Sequence, residues 1–422
     1  MTIKKWILGI KTLKVRLINK PQAAGFLKKL RFACFVMKKQ GCAVASKEIR
    51  LVVYRRREPQ TPCFFAQSQR PNHLQGVKMD NKTYCMSHYL AFRYIADESK
   101  NFFPHLSHRN FTPSFTHDLI ANVDELDFYI AKQMQGLDPS TTGIMLSGGI
   151  DSAVVASYLP KGAKAFTMRC NALPTSIDET KQAALYAKHY GLEHIIVPIY
   201  WEEILARLPS IFSFDGVPCH SIEPLIDICL STARSMGVRT MCLGESFDLV
   251  FGGMDKLLAK DWGFDEFVER YTFLDPKRVL KEYVDTKAVF EPYRQGEKID
   301  FVRFIDEIFA IESSTSYWHI FEKNAMGYLD PCQRVKMAQP LDLQKIRNGS
   351  PKYMVRELFA RRYKGIAIPD KIPMPREVEF WLRDYEPSRD EFIAGAHKGL
   401  SGDQKWQLFC LEQFLDMHDP RF

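Results

Sequence analysis

The sequence predicts an α/β protein, a doubly wound parallel sheet followed by a helical C-terminal half. Three observations carry that expectation. Between residues 142 and 243 short apolar segments alternate with longer amphipathic ones, the pattern of strands joined by crossover helices. The first apolar segment runs straight into Ser147-Gly148-Gly149-Ile150-Asp151-Ser152, which reads as a strand-to-helix loop. Beyond Met254 the strand signals fade and the periodicity is mainly helical.

In chain order, residues 1–78 hold 18 Lys and Arg, with Arg55-Arg56-Arg57 among them, against Glu48 and Glu58 only. This stretch carries +16 of charge and the rest of the chain −8, so the overall +8 says nothing about the main body. It reads as a basic, poorly ordered extension. Contact with nucleic acid or an anionic membrane, and a natural start at Met79, are the alternatives. Residues 79–115 are an aromatic-rich lead-in with Tyr84, Tyr89, Phe92, Tyr94, Phe102 and Phe103. A helix is expected to start at Ser114 or Thr116, to align Leu119, Val123, Leu126, Ile130 and Met134 on one face, and to stop at Gly136.

Strands are expected over 142–146, 163–168, 194–198 and 240–243, with helices over 152–159, 178–190, 201–208 and 222–236. Gly191 and Gly237 close two of these helices. Helices follow over 264–271, 300–316, 317–325, 352–363, 377–382 and 405–417.

Composition narrows the class. At 46% hydrophobic and 26% charged, the chain is ordinary for a globular protein, and no apolar run approaches the length of a membrane span. Ten cysteines without a CxxC pair or zinc spacing read as reduced thiols of a cytoplasmic protein. His105-Leu106-Ser107-His108 is too isolated to be a metal site. The main body lacks a basic patch, so no nucleic-acid partner is expected.

The chemistry concentrates in two stretches. In the first, the paired glycines let the backbone turn tightly against a ligand, and Ser152 is placed to cap the next helix. Helix-end amides make an anion site, and the Asp151 carboxylate beside it suits a divalent metal travelling with the anion. In the second, the fourth strand ends in Gly244-Glu245-Ser246-Phe247-Asp248-Leu249-Val250-Phe251-Gly252-Gly253. Asp248 can join Asp151 on one Mg²⁺, and Glu245 is placed as a general base. Taken singly, each acid also reads as a helix cap or a surface ion pair.

The string S-G-G-I-D-S resembles the pyrophosphate-binding loop of the ATP pyrophosphatase (PP-loop) group. With the second stretch, the similarity narrows to the synthetase domain of the asparagine synthetases and their G-E-G-S-D-E-x-F-G-G-Y motif. It runs from about Thr116 to Arg376 and includes Asp178-Glu179 and Lys352-Tyr353-Met354-Val355-Arg356-Glu357. The resemblance implies an adenine nucleotide alpha hydrolase-like fold and an ATP- and Mg²⁺-dependent ligase that makes an acyl-adenylate and then displaces AMP with ammonia. It implies that Ser147, Gly148, Gly149, Asp151 and Ser152 hold the pyrophosphate. Leu146, Met168 and Gly244 would lie near the adenosine, Asp151 and Asp248 on the metal, and Glu245 would deprotonate ammonia.

Three departures limit that carry-over. Thr2 follows Met1 where the family's glutaminase nucleophile is a cysteine, so nitrogen is expected from free ammonia or a separate glutaminase. Phe247 is bulkier than the family residue and is expected to reshape the substrate side of the pocket. The family's E-x-R-V-P-F-L-D segment appears only loosely as Val335 to Asp342, without its Glu and Arg, and Lys371 and Arg376 are the candidates for the family's adenylation cation. Aspartate is the default carboxylate acceptor by resemblance; a sugar uronate or a biosynthetic intermediate fits the departures as well.

Overall fold

The computed structural model describes residues 80–422, save 113–114, 172–175, 371–373 and 421–422. The basic extension, Met79, Ser114 and Lys371 therefore lie outside the described residues. The strands are β1 (Asp118–Ile120), β2 (Thr142–Met145), β3 (Lys164–Cys170), β4 (Glu193–Ile199), β5 (Thr240–Cys242), the short hairpin β6 (Arg294–Gln295) and β7 (Lys298–Ile299), β8 (Gly327–Leu329) and β9 (Val335–Met337).

Five of them form one parallel sheet in the order β4-β3-β2-β5-β8. The period of two along each strand decides what covers it. Ile144, Leu146, Ala165 and Cys242 face one buried layer, while Met145, Phe166, Met241 and Leu243 face the other. The first layer is closed by α2 (Val123–Gln133), α3 (Ile150–Ala156), α4 (Thr180–Tyr190) and α11 (Tyr353–Arg362). The second is closed by α1 (Asn81–Phe92), α5 (Trp201–Asp215), α6 (Glu223–Ser235), α10 (Ala310–Lys323) and α13 (Gly402–His418). Helices on both faces of a parallel sheet make the fold doubly wound, as the alternation predicts. A third apolar cluster gathers α8 (Asp255–Leu258), α9 (Phe264–Tyr271) and a helical turn, Phe301–Phe304, that passes through a π-helical segment, Ile305–Phe309, into α10. The remaining short helices include α7 (Ser246–Val250) and α12 (Val378–Trp381).

From β2 the chain builds outward on one side through β3 and β4, and on the other through β5 and β8. The order thus reverses between β2 and β5, and the crevice over their carboxyl ends is where such sheets bind ligands. Residues 146–149 leave β2 there and residues 243–245 leave β5 there.

One expectation is corrected and another is filled in. The first helix does not begin at Thr116: residues 118–120 pair in parallel with β9, Leu119 is 64% exposed, and Asn122 caps α2 by accepting the Glu125 amide at 3.0 Å. The apolar spacing continued past the helix end because a strand happened to precede it. The C-terminal half is mainly helical, as expected, and adds one strand to the main sheet, β8 beside β5. At three residues it is too short for any periodicity to reveal.

One turn is sterically committed. Gly216 closes α5 with φ +70°, and a methyl group there would overlap the Ser107 carbonyl. Gly216→Ala is expected to lower stability by about 1–3 kcal/mol, read from urea unfolding.

Candidate active site

The loop after β2 is held by its own side chains. The Ser147 amide donates to Ser152 Oγ at 3.0 Å, the two hydroxyls lie 2.9 Å apart, and the Gly149 amide donates to Ser147 Oγ at 3.1 Å. Gly149 is the N-cap of α3, and Ser152 sits inside the helix bracing the loop, so the expected Ser152 cap is corrected. The Gly148 amide donates to Glu179 Oε2 at 2.5 Å. Glu179 thus brings an anion to the loop from the chain itself, and burial holds its carboxyl above the usual range despite that amide. Gly148 faces Glu179 rather than the cleft, whereas Leu146, Ser147, Gly149, Asp151, Ser152, Met168 and Gly244 all line it.

The two carboxylates singled out in the sequence meet at one cation. Lys352 Nζ lies 2.6 Å from Asp151 Oδ2 and 2.9 Å from Asp248 Oδ1. Lys352 is only 7% exposed and adopts the left-handed conformation, φ 54°, ψ 39°, just before α11. That region is costly for a residue with a Cβ, and it aims the side chain back across the cleft. Burial disfavours the charged ammonium, but the two carboxylates outweigh it and raise its pKa. Sequence reading quoted Lys352 inside a family motif and gave it no role; a left-handed lysine has no signature in composition or spacing.

The approach of the second carboxylate depends on a glycine. The Gly253 amide donates to the Asp248 carbonyl at 2.8 Å, and a Cβ on Gly253 would overlap Asp248 Oδ1. Gly244 packs against the Asp151 backbone, where a Cβ would sit 3.1 Å from the carbonyl carbon. Asp330, directly after β8, accepts the Ser246 amide at 2.7 Å and the Cys332 amide at 3.0 Å, which fixes the start of α7. Asp330 was not foreseen, because β8 was not.

Glu245 points into the same cleft and accepts a 2.5 Å hydrogen bond from Ser313 Oγ on α10. Burial first, then the negative charges of Asp330 and Asp248, push its carboxyl up to about 8, against the pull of Ser313. Phe247, expected to reshape the pocket, is fully buried against Phe251 and does not line the cleft. Residues 335–342 contribute nothing to it either: Val335–Met337 form β9, and Asp342 caps a short helix by accepting the Lys345 amide.

Arg376 does not line the cleft. Its guanidinium forks onto Asp403, with Nε and Nη2 at 2.8 and 3.0 Å from the two oxygens, at the start of α13. Among the described residues, the cations that line the cleft are Lys352 and Arg356, both carried by the start of α11. The cleft has a volume of about 350 Å³, in the range of ligand pockets.

The donor set fits a Mg²⁺ that arrives with a polyphosphate. Two hard carboxylates already converge on one positive centre, and no cluster of three or more metal-ligating side chains exists among the described residues. Mg²⁺ characteristically takes one or two carboxylates and completes its shell with phosphate oxygens and water.

Two measurements test this geometry. Glu245 holds a proton in the folded state that the unfolded chain releases above about 4.5, so its contribution to stability is lost as pH rises toward about 8. Glu245→Gln is therefore expected to melt like wild type at pH 4 and to gain on it progressively up to pH 8. Gly253→Ala is expected to keep the wild-type circular dichroism while weakening Mg²⁺-dependent ATP binding about tenfold, because Asp248 must move.

Comparison with known proteins agrees with the two loops. Residues 124–305 match the family model for asparagine synthase. No curated protein matches the chain significantly. Among solved structures, an NH3-dependent NAD synthetase from Campylobacter jejuni is 17% identical, over 31% of this chain and 58% of that one, with a TM-score of 0.21. A U34-tRNA thiolase from Methanococcus maripaludis is 15% identical over 59% and 82%, TM-score 0.24, and an NMN synthetase from Francisella tularensis is 13% identical over 59% and 97%, TM-score 0.23. The chain thus spans little more than half of the first of these, and scores this low carry no weight for function. The family match is the informative result: the matched stretch, residues 124–305, contains both loops of the site.

Proposed function

We propose that this protein is an ATP-dependent carbon–nitrogen ligase that activates a carboxylate as its adenylate and amidates it with ammonia, from solution or from a separate glutaminase. One observation carries the reading: Asp151, Asp248 and Lys352 converge beside a buried Glu245 at the switch point of a parallel sheet.

In the first step the acid's carboxylate oxygen attacks the α-phosphorus of ATP. The bond to the bridging oxygen breaks, and pyrophosphate leaves. Ser147, Gly149 and the start of α3 face the departing phosphates, with Lys352 and Arg356 opposite to balance charge that builds in the transition state. Asp151 and Asp248 would hold a Mg²⁺ arriving with ATP, which would supply further charge neutralisation. In the second step ammonia attacks the acyl carbon and AMP leaves with its electron pair. The proton lost by nitrogen goes to Glu245 in its ionised form, which a carboxyl pushed up to about 8 still populates in part near neutral pH. Ser313 keeps Glu245 oriented.

The test is to incubate the protein with ATP, Mg²⁺, ammonium and a panel of carboxylic acids, and to measure the products. AMP and pyrophosphate are expected; ADP and phosphate instead would rule out adenylation. Asp151→Asn is expected to abolish pyrophosphate release, and Lys352→Met to slow it about 100-fold with the fold intact. Full activity in either variant would remove that residue from the mechanism.

A further inference from the structure

The acceptor end of the cleft has a chemical character of its own. It is bounded by Glu245, by the segment from α7 to α8, and by the π-helical segment and α10. Leu249 and Met254 line it from the first segment, and Phe309 and Tyr317 from the second. All four are only partly buried, so their apolar surface opens onto the cleft. Phe309 is the last residue of Ile305–Phe309, a π-helical irregularity of the kind that re-aims a side chain at functional sites.

The acids at this end are already engaged or neutral, since Asp248 meets Lys352 and Glu245 is pushed up to about 8. Asp255 also lines it, and both cations of the lining, Lys352 and Arg356, come from α11, which packs on α3 beside the phosphate loop. Residues 335–342 are used in β9 and the turn after it and do not line the cleft. A second carboxylate on the acceptor would lose its water against this apolar wall, while Lys352 is already shared by Asp151 and Asp248.

We propose that the acid activated here is a monocarboxylate with an apolar or aromatic body, selected by Leu249, Met254, Phe309 and Tyr317. This rests on the amidation reading and narrows it: the reactive carboxylate meets ATP at the polar end, and the rest of the molecule lies against the apolar wall. Aspartate and sugar uronates fit the site poorly, the first for its second carboxylate and the second for ring hydroxyls that would lose water along Leu249, Met254 and Phe309.

The test is ATP–pyrophosphate exchange with 3-phenylpropanoate and hexanoate set against aspartate and glucuronate, with ATP binding followed separately by equilibrium dialysis. The apolar acids are expected to show kcat/KM at least about 100-fold higher. Exchange that favours aspartate or glucuronate would overturn the substrate class and leave the ligase reading standing. ATP binding without exchange for any acid would overturn both. Phe309→Ala is expected to raise KM for the preferred apolar acid about tenfold with kcat little changed, and Met254→Arg to improve aspartate about tenfold. Folded variants whose KM values are unchanged would remove the wall from substrate selection.

Discussion

The contact on which the site depends is the Lys352 ammonium lodged between Asp151 and Asp248. Two carboxylates that share one ammonium would repel each other without it. The ammonium between them holds both at the mouth of the phosphate loop. Several unrelated features serve this one contact: the left-handed turn at Lys352, the bare Cα of Gly253, the close approach of Gly244 to Asp151, and the Asp330 carboxylate that pins the start of α7. None of these would be worth its strain in a loop that merely connected two elements.

Burial around that contact divides labour among the acids. Asp151 and Asp248 face a lysine, while Glu245, three residues from Asp248, faces a serine and other acids and is pushed up to about 8. Acids brought to one cleft are thus given different partners, a cation for two of them and a hydroxyl for the third.

How far the sequence was legible follows from the range of each interaction. The alternation of strands and helices between residues 142 and 243 survives in the fold because each strand's apolar faces and each helix's stripe are local properties. Asp151, Asp248 and Glu245 were found because motif and strand end coincide. What escaped depends on contacts between distant segments. β8 is three residues long and exists only because β5 offers it an edge. β1 exists only because β9 does, which is why Leu119 was mistaken for a core position. Lys352 and Arg356 reach the cleft because α11 packs on α3, and Arg376 misses it because Asp403 takes it first. Phe247 looked like a pocket residue by its place in a motif, yet a five-residue helix turns it into the core.

The reversal of strand order between β2 and β5 also has a consequence for assembly. Lys352 is 201 residues from Asp151 along the chain, and the loop that joins the two is closed only when α11 docks on α3. Closing so long a loop costs entropy before any contact rewards it. The site is therefore among the last things the chain completes, and a partly folded molecule, even one with β2, β3 and their helices formed, has no charge triad with which to hold a nucleotide. Occupation of the cleft would then report on the integrity of the whole sheet and stabilise the finished fold against every less complete form.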